Sequence, residues 1–212
     1  MIRKVASPWW LLPGLSVTLL IGLAAPTFEA RLAGDDLRLD GDDLRVRAPK
    51  NFRFLTGKPL EKLKDGATLV YLAQLSLSAS REATTPLTRP AVNRFVVSYD
   101  ILEEKFSVTS TGSDHATASR LSAAAAEGWC LDHLPLGIDG IPHDKPLWIK
   151  LELRAEDTRD QTGVFRDSGI NLTRLIEVFS QQAQAQQMRW IASAGPVRLE
   201  DIKRERRSSR TG

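Results

Sequence analysis

Cys130 and His133 come nearest, by type and spacing, to a catalytic pair. Three positions apart on a helix they are surface neighbours, and a thiol beside an imidazole base is what a cysteine nucleophile requires. An activated thiolate also needs a positive, partly open setting. Cys130 instead follows Trp129 on an apolar stripe, the usual place of a buried structural cysteine. The pairs Asp114-His115 and Asp132-His133 are adjacent in sequence, so their side chains diverge on a helix. A zinc site from His115, Asp132 and His133 would have to close about 27 Å along a straight helix, unless the helix breaks at Gly128. No H-E-x-x-H, G-x-S-x-G, G-x-G-x-x-G or Walker sequence occurs. The sequence implies no cofactor.

A second chemistry lies in the tandem repeat Gly34-Asp35-Asp36-Leu37-Arg38-Leu39-Asp40 and Gly41-Asp42-Asp43-Leu44-Arg45-Val46-Arg47. Asp36, Asp40 and Asp42 are its metal-ligand candidates, with Asp35 and Asp43 beside them, because calcium loops gather several carboxylates around a glycine. The D-x-D-x-D-G order and the closing glutamate are missing, and Arg38 and Arg45 stand among the acids. Solvated strand flanks account for them better. A third candidate is the loop 136–146 with Gly137, Asp139, Gly140, His143 and Asp144. With Trp148 on the polar side of the next strand, His143 and Asp144 would serve sugar or lipid binding. The competing role for Trp148 is cover for a second layer.

The elements that must position these residues follow from periodicity. Leu37 and Leu39, then Leu44 and Val46, alternate with charge around Asp40-Gly41, a hairpin signal. Pro59 to Gly66 spells a short helical turn. Residues 67–78 and 94–101 read as strands, with alternation resuming at Phe106 and Val108. Ser113 or Asp114 would cap an Ala-rich helix with the stripe Leu121, Ala124, Ala125, Gly128 and Leu131, ending before Pro135. Leu147 to Arg154 alternates as a further strand. Asn171 would cap a second helix bearing Leu172, Leu175, Ile176, Phe179 and Ala183, and 188–191 would form a last short strand. The expected architecture is α+β: a mostly antiparallel β-sheet or small β-sandwich with two packed α-helices.

The run from Leu63 to Val70, Arg94-Phe95-Val96-Val97-Ser98-Tyr99-Asp100-Ile101, the strand from Lys105 to Val108, the Ala-rich helix and the strand from Leu147 together resemble a family of bacterial exported domains of unknown function. The resemblance spans about residues 45–155. It implies a signal or anchor segment, a compact, mostly antiparallel body and an envelope location, and carries no catalytic residues with it.

The chain has 212 residues, 42% of them hydrophobic, one cysteine and a net charge of +3. One cysteine excludes an intrachain disulfide framework. The positive charge sits at the ends: residues 1–30 carry +1, residues 203–212 carry +4, and the body 31–202 carries −2. A body with alternating charge signs lacks the basic patch that nucleic acid requires. Arg3 and Lys4 precede an uncharged run from Val5 to Phe28 whose most apolar part, Leu15 to Ala25, has signal-peptide length. The division expected is a signal peptide or membrane anchor at 1–30, one globular domain at 31–200 and a basic disordered tail at 201–212. A tether through 5–28 would leave the body periplasmic, facing out from the inner membrane. The function these features suggest is a non-catalytic envelope domain binding a protein partner, in a signalling context. The alternatives are a thiol-dependent hydrolase or transferase using Cys130 and His133, and sugar or lipid binding through the 136–146 loop.

Overall fold

A computed structural model describes residues 27–112, 115–156 and 188–202. The chain enters the fold as a strand, β1 (Thr27–Arg31), and passes a short 3-10 turn at Gly34–Asp36. The alternation that follows becomes the hairpin β2 (Leu37–Asp40) and β3 (Asp43–Val46), with Leu39 opposite Leu44. Gly41 sits in the turn at φ +65°, a conformation glycine adopts without a steric cost. Helix α1 (Lys58–Lys64) begins with Pro59 in its first turn, as the sequence requires.

The long alternating runs then build one large sheet. Its strands are β4 (Leu69–Ser78), β5 (Ala91–Asp100), β6 (Lys105–Ser110), β7 (Thr117–Leu121), β9 (Leu147–Glu156) and β10 (Arg189–Val197), with β1 at one edge. The order is β1-β10-β9-β4-β5-β6-β7. Every pairing is antiparallel except β1 with β10. Helix α2 (Ala123–Asp132) lies between β7 and a two-residue strand, β8 (Leu136–Gly137). β8 pairs with β3, completing a small antiparallel sheet, β2-β3-β8. The fold is α+β.

The core lies between the two sheets. Tyr71, Ala73, Leu75 and Leu77 of β4, Phe95 and Val97 of β5, and Ile149, Leu151 and Leu153 of β9 point the same way. They meet Leu37, Leu39, Leu44 and Val46 of the hairpin, Phe52, Phe54 and Leu55, Leu63 of α1, and Cys130 and Leu131 of α2. Each such side chain contributes about 1.5–3 kcal/mol of hydrophobic stabilisation on burial. Val70 and Leu72 are equally buried, at 1% and 0% exposure, but lie outside this core, on the sheet's other face.

Several boundaries differ from the sequence pattern. The expected Ala-rich helix starts nine residues or so late. Residues Thr117–Leu121 form β7 against β6, and Ser122 caps α2 by accepting from the Ala125 amide at 3.2 Å. Leu121 lies three residues before Ala124, so it imitated a helical stripe. The unpaired edge of β6 takes those residues as a strand instead. The proposed caps Ser113 and Asp114 lie outside the described residues, as does the expected helix over 171–183. The folded body reaches back to Thr27, inside the segment assigned to a leader, and forward to the buried Ile202.

Candidate functional site

On α2, the sequence pair does not meet as a dyad. Cys130 is fully buried in the core and burial pushes its thiol pKa up, with the nearby Glu127 charge adding to the rise. The imidazole of His133 caps the helix end elsewhere. Its Nδ1 lies 2.8 Å from the Trp129 carbonyl oxygen, and its ring stacks on Trp129 at 3.8 Å. No hydrogen bond joins the thiol to the imidazole. A raised thiol pKa and an absent base are the reverse of what a nucleophile needs.

The same helix carries a residue the sequence did not single out. Glu127 is 1% exposed. Its Oε1 accepts from the amides of Phe54 and Leu55 at 2.8 and 2.9 Å, and Arg53 donates to Oε2 at 2.7 Å. A buried carboxylate is tolerated where donors and a cation compensate for lost hydration. Glu127 therefore clips the Phe52–Leu55 segment to α2. Its neighbour Tyr71, whose hydroxyl donates to the Phe54 carbonyl at 3.4 Å, has its pKa raised, first by burial and then by the Cys130 and Glu127 charges.

The repeat acids disperse. Asp36 accepts from the Ala33 amide at 2.8 Å, Asp40 pairs with Arg45 at 3.3 Å, and the Asp42 carbonyl accepts from the Ile138 amide. Arg38 and Arg45 also reach across to Asp132, Arg38 at 2.8 Å to its carboxylate and Arg45 at 2.5 Å to its carbonyl. Among the described residues no group of three or more His, Cys, Asp or Glu side chains converges as a metal set. The exposed His115 stands apart, before β7.

In the 136–146 loop, His143 and Asp144 are exposed, and the His143 carbonyl accepts from the Glu200 amide. Trp148 is half-buried. Its ring lies over Gly195 of β10, where an added Cβ would fall 2.4 Å from the ring. Trp148 thus packs on its own sheet and does not gather with His143 and Asp144 by any hydrogen bond.

The sheet face opposite the core carries charges that the alternation of β9 marked as solvated. Glu152 and Arg154 are each only 6% exposed. Arg154 and Arg189 stand directly opposite across the β9–β10 pair, an unfavourable like-charge neighbourhood. Glu152 resolves it, accepting from Arg154 at 2.5 Å and Arg189 at 2.6 Å, with Lys150 at 3.3 Å. On the other flank, Arg94 Nε donates to Glu156 at 3.0 Å. These cations are drawn from three strands, which is why a linear reading saw no cluster. Burial alone would raise the Glu152 carboxyl pKa, but the Arg189 hydrogen bond and the Arg154 and Arg189 charges outweigh it and hold the pKa below its ordinary value.

A depressed folded-state pKa gives stability that is complete above the unfolded carboxyl range, near pH 4, and is lost as pH falls through the lower folded value. The Glu152→Gln variant is therefore expected to lose stability near neutral pH and to show a shallower acid decline than the wild type. Urea unfolding at several pH values measures both slopes, and parallel declines would refute the assignment.

Among the described residues the most exposed large apolar side chains stand at the end of the β5–β6 hairpin. Ile101 is 60% exposed and Leu102 95%. Asp100 Oδ1 accepts from the Leu102 and Glu103 amides at 2.9 and 3.0 Å, an Asx turn that fixes the tip. Glu103 accepts two hydrogen bonds from Arg120 of β7, at 3.1 and 2.9 Å. The alternation of 94–101 puts Ile101 on the buried side with Phe95, Val97 and Tyr99, and Glu103-Glu104 interrupts the pattern; β5 instead ends at Asp100, so Ile101 falls in the turn and is exposed.

No family model matches this chain, and no curated protein or solved structure does. Among the described residues no helix is long and apolar enough to cross a membrane.

Proposed function

We propose that this chain is a non-catalytic interaction domain of the bacterial envelope that binds a protein partner through the β5–β6 hairpin end. The observation that carries the reading is Leu102, almost wholly exposed on a turn whose backbone is already held by Asp100 and braced by the Glu103–Arg120 pair. A large apolar side chain carried on a backbone that is already held spares the main-chain part of the ordering entropy on docking, which suits an interface anchor. The complementary surface is an apolar pocket with a basic rim, because Glu104 is exposed beside the pair and makes no ion pair with any described residue. The export reading rests on the basic start and the apolar run before Phe28, together with the resemblance to exported bacterial domains. The buried Cys130, hydrogen-bonded to no base, weighs against the thiol chemistry.

The test is a photo-crosslinking residue at position 102 in cells, with the same residue at position 87 as control, since Leu87 is also exposed. A discrete adduct at 102 and none at 87, abolished by Ile101→Asp with an unchanged unfolding midpoint, is expected. Equal adducts at both positions, or an adduct indifferent to Ile101→Asp, would refute the hairpin as the docking element.

A further inference from the structure

A cleft of about 390 Å³ lies away from the hairpin end, between the loop that joins β4 to β5 and the chain that follows α2. Thr88, Arg89, Pro90 and Ala91 form one side, and Pro135, Gly137 and Asp139 the other. Three features of its lining bear on what it could hold. The Thr88 hydroxyl is shielded from solvent and has no hydrogen-bond partner. A buried hydroxyl in that condition is destabilising unless something in the cleft completes it. Arg89 and Asp139 are exposed, line the same cleft, and form no ion pair with each other or with any described residue. The walls between the two charges are Pro90, Ala91 and Pro135, whose side chains offer no polar group, and prolines bring no amide donor either.

We propose that this cleft binds a small zwitterion: an amino acid or a short peptide with both termini free. The planar guanidinium of Arg89 matches a carboxylate with two parallel hydrogen bonds. Asp139 accepts from the ammonium group, and the Thr88 hydroxyl donates to the ligand's carboxylate or accepts from its amine. The proline and alanine walls hold an aliphatic side chain. The cleft's volume falls in the lower part of the range for small-molecule sites. No aromatic side chain lines it, so it lacks the stacking platform that favours a sugar ring. This ligand class differs from the sugar or lipid expected at the 136–146 loop, and the contact moves from His143, Asp144 and Trp148 to Asp139 and the opposite loop.

The position of Gly137 supplies a clean blocking variant. A Cβ there meets nothing within 4 Å, and its backbone is extended in β8, so Gly137→Leu adds bulk to the cleft lining with no clash at its Cβ. Equilibrium dialysis of the full chain against radiolabelled L-leucine is the experiment, with N-acetyl-leucine, leucinamide and glycyl-leucine as competitors. Saturable binding is expected for leucine, glycyl-leucine or both, and which of the two binds better tells a free amino acid from a peptide. Each singly charged analogue is expected to compete about tenfold or more weakly, the usual consequence of leaving one charged partner unmatched. Arg89→Gln is expected to weaken leucine or dipeptide binding to a similar degree while leaving leucinamide unchanged, and Gly137→Leu to abolish binding. Arg89 is exposed, so its variant keeps the test valid should Gly137→Leu fail to fold. The proposal is overturned if neither zwitterion binds, if the singly charged analogues bind as tightly, or if Arg89→Gln binds like the wild type.

Discussion

Glu127→Ala is expected to lower the unfolding free energy by about 3–5 kcal/mol, the largest single effect of any substitution considered for this molecule. The carboxylate is 1% exposed and accepts three hydrogen bonds, two from main-chain amides. Truncation leaves the buried Phe54 and Leu55 amides without an acceptor, at about 1–3 kcal/mol for each such group. It also opens a void beside Cys130, to which surrounding side chains adjust only in part. Arg53→Ala provides the contrast. Its own side chain is 40% exposed, but its removal leaves the Glu127 carboxylate, 1% exposed, without a cation while both amides still donate, so a smaller cost of about 1–3 kcal/mol is expected. Urea unfolding of the two variants measures both numbers. A Glu127→Ala midpoint close to that of Arg53→Ala would mean that the amide clip does not carry the load assigned to it.

Gly195→Ala is expected to cost about 3 kcal/mol and to shift the fluorescence of Trp148. The added methyl would fall 2.4, 2.5 and 3.0 Å from three atoms of the Trp148 indole. A ring wedged on its own sheet cannot turn away as a flexible chain end does, and overpacking of this sort costs about 1–3 kcal/mol. Gly195 also holds φ +148°, a backbone conformation that side-chain-bearing residues rarely adopt, which adds about 1–2 kcal/mol. The two terms separate in a double-mutant cycle. With Trp148→Ala already in place, Gly195→Ala should cost only the backbone part. If the penalty is the same in both backgrounds, the indole is not what the methyl meets.

How much of this was legible depended on whether the signal was local. The hairpin of Leu37, Leu39, Leu44 and Val46 was readable because alternation and an Asp-Gly turn lie within ten residues. Strands β4, β5 and β9 were readable for the same reason. β1 and β8 were not: a five-residue strand with four residues exposed and a two-residue strand have no pattern of their own and exist only because β10 and β3 offer free edges. Leu121 was misassigned because a strand running straight into a capped helix imitates one longer helical stripe. Glu127 was invisible because its partners lie more than seventy residues away, and nothing around it in sequence marks it for burial. Glu152 and Arg154 looked solvated because alternation reports only that a residue faces away from the core, not whether that other face is covered. For Trp148 the sequence left two roles open, and the ring's position on Gly195 favours cover over contact with a ligand.

The direction of β1 has a mechanical consequence. It runs parallel to β10, with five residues in register from Thr27 opposite Arg189 to Arg31 opposite Ser193, and Phe28 stacks on Trp190 at 5.8 Å. A pull on the chain ahead of Thr27, resisted at the far end of β10, drags the two strands in opposite senses along their common axis. The rungs between them are then sheared together rather than peeled one after another, and the stacked rings must slide before any rung parts. Had β1 joined antiparallel, the same pull would have opened the seam like a zip. The molecule's leading edge is therefore built as a tension joint.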